Sequence, residues 1–213
     1  RQRRRLMVWS SAGGKALPVQ DDADPWEMSF DAQSQHVATM HQDARGLGTI
    51  RVRSLPALQE TGRIPIDHRS EFALSPDGSL LAVSGRVRDN ERSPWHLHVD
   101  LFDVATSRRT LRLAEDRSLT WLRFSPDGRH LFSVGESFGD QARELRVWRL
   151  SDGRLVASLR HETDIQGARI GMRGDELATR TGGQIRVWGL PSGSLLSQIE
   201  TDAGFKDYTF SPD

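Results

Sequence analysis

Phe72-Ala73-Leu74-Ser75-Pro76-Asp77-Gly78-Ser79-Leu80-Leu81-Ala82-Val83 decides how the rest of the chain is read. Side chains alternate across a strand, so apolar residues at 72 and 74 share one sheet face. Ser75-Pro76-Asp77-Gly78 then specifies a type I turn: proline pre-sets φ at the second position, and glycine relieves the strain at the exit. Leu80-Leu81-Ala82-Val83 is the returning strand. The turn recurs as Ser125-Pro126-Asp127-Gly128 and, shortened, as Ser211-Pro212-Asp213. Degenerate copies stand at Phe30-Asp31-Ala32-Gln33-Ser34 and Ile170-Gly171-Met172-Arg173-Gly174. The apolar residue ahead of each turn (Phe30, Leu74, Phe124, Ile170, Phe210) advances in steps of 44, 50, 46 and 40 residues.

A second ladder runs in phase with the first. Leu6-Met7-Val8-Trp9, Ile50-Arg51-Val52-Arg53, Val99-Asp100-Leu101-Phe102, Leu145-Arg146-Val147-Trp148 and Ile185-Arg186-Val187-Trp188 follow one another at intervals of 44, 49, 46 and 40 residues. Small-residue connectors come next, among them Thr106-Ser107, Ser151-Asp152-Gly153 and Pro191-Ser192-Gly193, and then a fourth strand such as Leu155 to Leu159 or Leu195 to Ile199. No window of a dozen residues carries a helical stripe. The repeat therefore predicts an all-β array of four-stranded units. The units are a partial one at 1–20, full ones at 21–67, 68–114, 115–160 and 161–200, and the start of another at 201–213.

Composition bounds the function. The 213 residues are 36% hydrophobic and 27% charged, and 29 Lys+Arg balance 29 Asp+Glu, so no overall field recommends nucleic acid, an anionic bilayer or an acidic substrate. With no Cys, disulfides, thiolate metal sites and cysteine nucleophiles are excluded. No stretch approaches eighteen apolar residues, and no signal-peptide pattern is present, which sets the expectation of a cytoplasmic chain with no membrane partner.

Four-stranded units of this length, with Ser-Pro-Asp-Gly after the first strand and Val-Trp closing the third, resemble the blades of WD-repeat β-propellers. The Trp-Asp pair that names that family is worn: its positions carry Trp9-Ser10, Arg53-Ser54, Phe102-Asp103, Trp148-Arg149 and Trp188-Gly189. Blades of the family often hold a hydrogen-bonded His, Ser/Thr, Asp and Trp. The resemblance places such a partial tetrad at His161, Thr179 and Trp188, with Gly182 or Gly183 in the Asp position, and another at His68 and Ser84, where Phe102 replaces Trp. Packing of apolar strands, more than these polar sets, is expected to hold the blades. Four blades and two remnants lack the strands to close a ring, so an open arc with apolar terminal faces is expected.

The chemistry-bearing residues form no catalytic set. His96 and His98 share a strand face but lack a third ligand at useful spacing for a metal. Arg1, Arg3, Arg4 and Arg5 read as a solvated loop. No Gly-x-Ser-x-Gly elbow occurs. Neither metal nor cofactor is expected. Insertions in a repeat array fall on binding surfaces. The second blade inserts Arg86 to Trp95 and the third Glu136 to Arg143. By analogy with the family, these loops share a face with the turns that carry Asp116 and Arg117. An aromatic among Arg and carboxylates has the composition of an interface hot spot, so Trp95, Phe138, Arg88, Arg92, Asp116 and Arg117 are the candidate partner-binding residues. The resemblance implies a non-catalytic scaffold, a sensor or adaptor module of a larger bacterial protein, that presents loops to a protein or peptide or to flanking domains of its own chain. The alternatives are an enzymatic propeller, hydrolase or dehydrogenase, with a channel site, or a purely structural segment.

Overall fold

The computed structural model describes residues 8–9, 14, 16–17, 27–43, 47–66, 70–88, 90–136, 143–202 and 207–211. Strands β1 (Val8–Trp9) and β2 (Ala16–Leu17) form a two-stranded sheet. Four four-stranded antiparallel sheets follow. The first is β3 (Glu27–Phe30), β4 (His36–Gln42), β5 (Gly48–Ser54) and β6 (Glu60–Ile66). The second is β7 (Phe72–Leu74), β8 (Leu80–Val87), β9 (His96–Asp103) and β10 (Arg109–Glu115). The third is β11 (Ser118–Phe124), β12 (His130–Glu136), β13 (Glu144–Arg149) and β14 (Arg154–Arg160). The fourth is β15 (Gly167–Ile170), β16 (Glu176–Thr181), β17 (Gln184–Gly189) and β18 (Ser194–Glu200). In each, consecutive strands are neighbours. Among the described residues there is no helix, and no sheet closes on itself.

The turns form as their sequences dictate. Gly78 N–H donates to Ser75 O, Gly128 N–H to Ser125 O and Gly174 N–H to Gly171 O, each at 2.9 Å. These glycines have φ of 72°, 70° and 76°. In the degenerate first copy Ser34 takes the same place at φ 54° and donates to Asp31 O. Ser75 Oγ accepts the Leu80 N–H at 2.9 Å, and Ser125 Oγ accepts the His130 N–H at 2.9 Å. In the first blade the Asp31 carboxylate replaces that hydroxyl, taking the Gln35 and His36 N–H groups.

A β-bulge recurs between the third and fourth strands, at Val52/Arg53, Val147/Trp148 and Val187/Trp188. The extra residue is on the fourth strand each time, at Thr61, Val156 and Leu196. The pairing of Ser133 with Arg146 repeats as Thr179 with Arg186, so the third and fourth sheets share one register.

The chain divides into two compact units, residues 1–85 with 100–111, and residues 86–99 with 112–213. In the first unit the core joins Ile50, Ile64, Phe72 and Leu81. In the second it joins Phe132, Leu145, Leu159, Leu177 and Trp188. Each core draws on two successive sheets, which is how a single sheet buries a face it cannot cover itself. Strand β18 is exposed at every position, with Leu195, Leu196 and Ile199 each about half exposed, and Met28 and Phe30 of β3 are similarly bare. The expected strand at Tyr208 to Phe210 does not form: residues 207–211 carry no ladder, and Tyr208 instead donates its hydroxyl to Ala178 O at 3.0 Å. Residues 207–208 thus meet β15 and β16 through side chains, Arg169 Nη2–H donating to Asp207 Oδ1 at 3.2 Å and the Arg169 guanidinium lying over the Tyr208 ring.

Candidate functional site

In the first, third and fourth blades the second strand carries a hydroxyl at one register position, Thr39, Ser133 and Thr179, and its partners change from blade to blade; in the second blade that position, opposite Phe72, is Val83. In the third sheet Trp148 Nε1–H donates to Ser133 Oγ at 3.0 Å, and Ser133 Oγ–H donates to Glu115 Oε1 at 2.8 Å. In the fourth, Trp188 Nε1–H donates to Thr179 Oγ1 at 2.8 Å. In the first, Arg53 Nη1–H donates to Thr39 Oγ1 at 3.0 Å, which also meets His41 Nε2 at 2.9 Å. In the second, Phe102 has no donor and Val83 no hydroxyl; Ser84, one residue further on and so on the other face of the strand, accepts the Glu71 N–H at 2.9 Å.

Of the partial tetrad at His161, Thr179 and Trp188, the Trp188–Thr179 bond is made, and His161 packs edge-on against the indole at 5.5 Å between centroids. Neither His161 ring nitrogen has a hydrogen-bond partner, although the residue is only 8% exposed. Burial, and then the Arg186 charge, push its pKa down to about 4, leaving the imidazole neutral at pH 7. His68 lies outside the described residues, so Ser84 is seen only with Glu71.

The sequence reading missed the strongest polar cluster, around Glu115. Arg146 Nη1 lies 2.7 Å from Glu115 Oε2 and 2.8 Å from Asp116 Oδ1, and its Nε lies 3.3 Å from Glu144 Oε1. Glu144 also takes Arg117 Nη2–H and Ser158 Oγ–H. Burial raises the pKa of Glu115 against the opposing pull of Ser133 and Arg146. Burial works on Glu144 too, but there Ser158, Arg117 and Arg146 prevail and hold the carboxyl below its usual range. Asp116 is also lowered, Arg146 outweighing desolvation. One signal could have found this cluster: Glu115 precedes Ser133 by 18 residues, as His161 precedes Thr179.

The candidate binding residues therefore separate. Arg117 is committed to Glu144, while the Asp116 side chain is 71% exposed. Trp95 is 41% exposed on the β8–β9 insertion, with the guanidinium carbons of Arg86 and Arg88 4.5 and 4.6 Å from its ring centroid. Arg88 Nη1–H donates to Glu91 O, and Asn90 Oδ1 accepts the Arg92 and Ser93 N–H groups, which fixes the loop. The structure thus brings Trp95 and Arg88 together, adds Arg86, and keeps Arg92 in the same short loop. Phe138 lies outside the described residues.

At the fourth sheet a polar cavity of about 200 Å³ is lined by His161, Glu162, Thr163, Thr181, Gly183, Gln184, Arg186 and Glu200. Among the described residues no group of three or more His, Asp or Glu side chains is placed to hold a metal ion. His98 Nε2 faces Arg112 Nη2 at 3.2 Å. No helix of the described residues is long and apolar enough to cross a membrane.

No family model and no curated protein matches the sequence. Among solved structures, the chain is similar to Kuenenia stuttgartiensis hydrazine synthase, a β-propeller-containing protein, with a TM-score of 0.62 and 16% identity. The match covers 85% of this chain and 51% of that one, so the chain spans about half its length. At that identity the likeness concerns the fold alone. With its four successive four-stranded meanders, the chain is an all-β protein of β-propeller-like fold.

Proposed function

We propose that this chain is a non-catalytic interaction scaffold, a WD-repeat-like propeller segment of a larger bacterial cytoplasmic protein, whose β8–β9 loop receives a protein or peptide. Flanking domains of its own chain are partners in the same sense; nucleic acid and membrane are not. The observation that carries the reading is the stacking of Arg86 and Arg88 on the exposed Trp95 ring. Cation–π contact orders two long side chains before a partner arrives, which lowers the entropy lost on binding. Each guanidinium keeps N–H groups for a partner's carboxylates or carbonyls, and the indole supplies apolar area between them.

The test is affinity capture with the full chain, comparing wild type and Trp95→Ala. Loss of a hot-spot aromatic should weaken capture by a factor of roughly 30, about 2 kcal/mol, with an unchanged melting temperature because the ring is exposed. Retained capture removes Trp95 from the site. A matched fall in melting temperature makes it a cap on its own blade.

A further inference from the structure

The third and fourth sheets can be compared position by position, because Ser133–Arg146 and Thr179–Arg186 occupy the same register. Glu115 and His161 then correspond, as do Arg117 and Thr163, and Glu144 and Gln184. In the third sheet the Arg117 side chain occupies the space beside Glu144, giving Nη2–H to that carboxylate, and is 19% exposed. In the fourth sheet Thr163 is too short to reach, and the corresponding space is the cavity of about 200 Å³.

The cavity wall favours a cation. Glu162 and Glu200 line it against a single guanidinium, Arg186. That guanidinium is already engaged: its Nε–H donates to Gln198 Oε1 at 3.1 Å, Nη1–H to Arg160 O at 3.5 Å, and Nη2 lies 3.9 Å from Glu162. The Gln184 amide nitrogen is turned to Glu200 Oε1 at 2.9 Å. His161, more than nine-tenths buried, adds a ring nitrogen lone pair with nothing to accept from. A buried acceptor without a donor is costly, and an incoming N–H donor would relieve it.

We propose that this cavity binds the guanidinium of an arginine side chain, taking in trans the place that Arg117 takes in cis in the neighbouring sheet. An anion would have to approach Glu162 and Glu200 with Arg186 already spoken for. The site is independent of the Trp95 reading and stands or falls without it.

The experiment is an NMR titration of the full chain, following the His161 ring resonances against N-acetyl-arginine methylamide. The lysine analogue, free arginine, acetate and phosphate serve as separate arms. The expected result is a saturable shift with the arginine analogue and at least tenfold weaker binding of the lysine analogue. Gln184→Glu, which restores the counterpart of Glu144, should tighten arginine binding about tenfold; Thr163→Arg, which fills the cavity from within, should abolish it. Free arginine binding as well as the capped analogue assigns the site to the amino acid; binding of the capped form alone assigns it to a peptide side chain. Tighter binding of acetate or phosphate, weaker binding in Gln184→Glu, undiminished binding in a folded Thr163→Arg, or no saturable shift with the arginine analogue would each overturn the proposal.

Discussion

Ser133 stands between two buried groups that cannot reach each other, passing a hydrogen bond from the Trp148 indole to the Glu115 carboxylate. Ser133→Ala leaves the indole N–H without an acceptor and takes one donor from Glu115, which should cost about 1–3 kcal/mol in denaturant unfolding. Ser84→Ala, one residue past the corresponding position of the second blade and half-buried, loses only a bond from the Glu71 N–H and should cost about 1 kcal/mol or less. His161 makes a second prediction at this scale. Its imidazole is held near pKa 4 in the folded chain against 6.5 in the unfolded one. Between those values the unfolded state binds the extra proton, so stability falls as pH drops from about 6.5 to about 4. Glu115, raised in the fold, acts in the opposite sense, which is why the comparison should be made against His161→Phe. The wild type should lose stability relative to that variant on acidification across the window, and a constant difference would contradict the assignment.

The turns are the elements that sequence alone read correctly, because their chemistry is local. Pro and Gly constrain φ wherever they stand, and the Gly78, Gly128 and Gly174 turns close as their residues require. Gly78 has a second constraint that no local rule shows: a Cβ there would lie 2.3 Å from His36 Nδ1, in the preceding blade. His36 is in turn held by Asp31 Oδ2 at 2.9 Å, so it cannot yield cheaply. Gly78→Ala should therefore exceed the roughly 1–2 kcal/mol of a left-handed L-residue. His36→Ala in that background should recover the excess in a double-mutant cycle. The candidate site was less legible for the same physical reason. The His161 tetrad rested on a resemblance, whereas the Glu115 cluster unites residues from the end of β10, the following turn and strands β12, β13 and β14. Its charges read singly as surface residues, and only their register shows that they converge. Trp95 and Arg88 were legible because one short insertion contains both; their stacking with Arg86 was not.

One position in the fourth strand reports how sheets cover one another. Ile64, Leu113 and Leu159 are 0%, 0% and 1% exposed, while Ile199 is 49% exposed. The register makes three of them direct equivalents, since Ile64 faces Ile50, Leu159 faces Leu145 and Ile199 faces Ile185. Chemistry and strand geometry are shared, so the difference comes from what lies on top. Leu159 is covered by the next sheet's connector: a Cβ at Gly193 would sit 2.8 Å from Leu159 Cδ2, and only a glycine there lets the backbone approach so closely. Among the described residues Ile199 has no such cover. Leu159→Ala should therefore cost about 2–5 kcal/mol, the range for a buried leucine that leaves a cavity. Ile199→Ala should cost under about 1 kcal/mol, since its side chain is already half in water. Equal costs in urea unfolding would mean that β18 is covered in solution, and a concentration-dependent melting temperature for the wild type would identify a second copy of the chain as that cover.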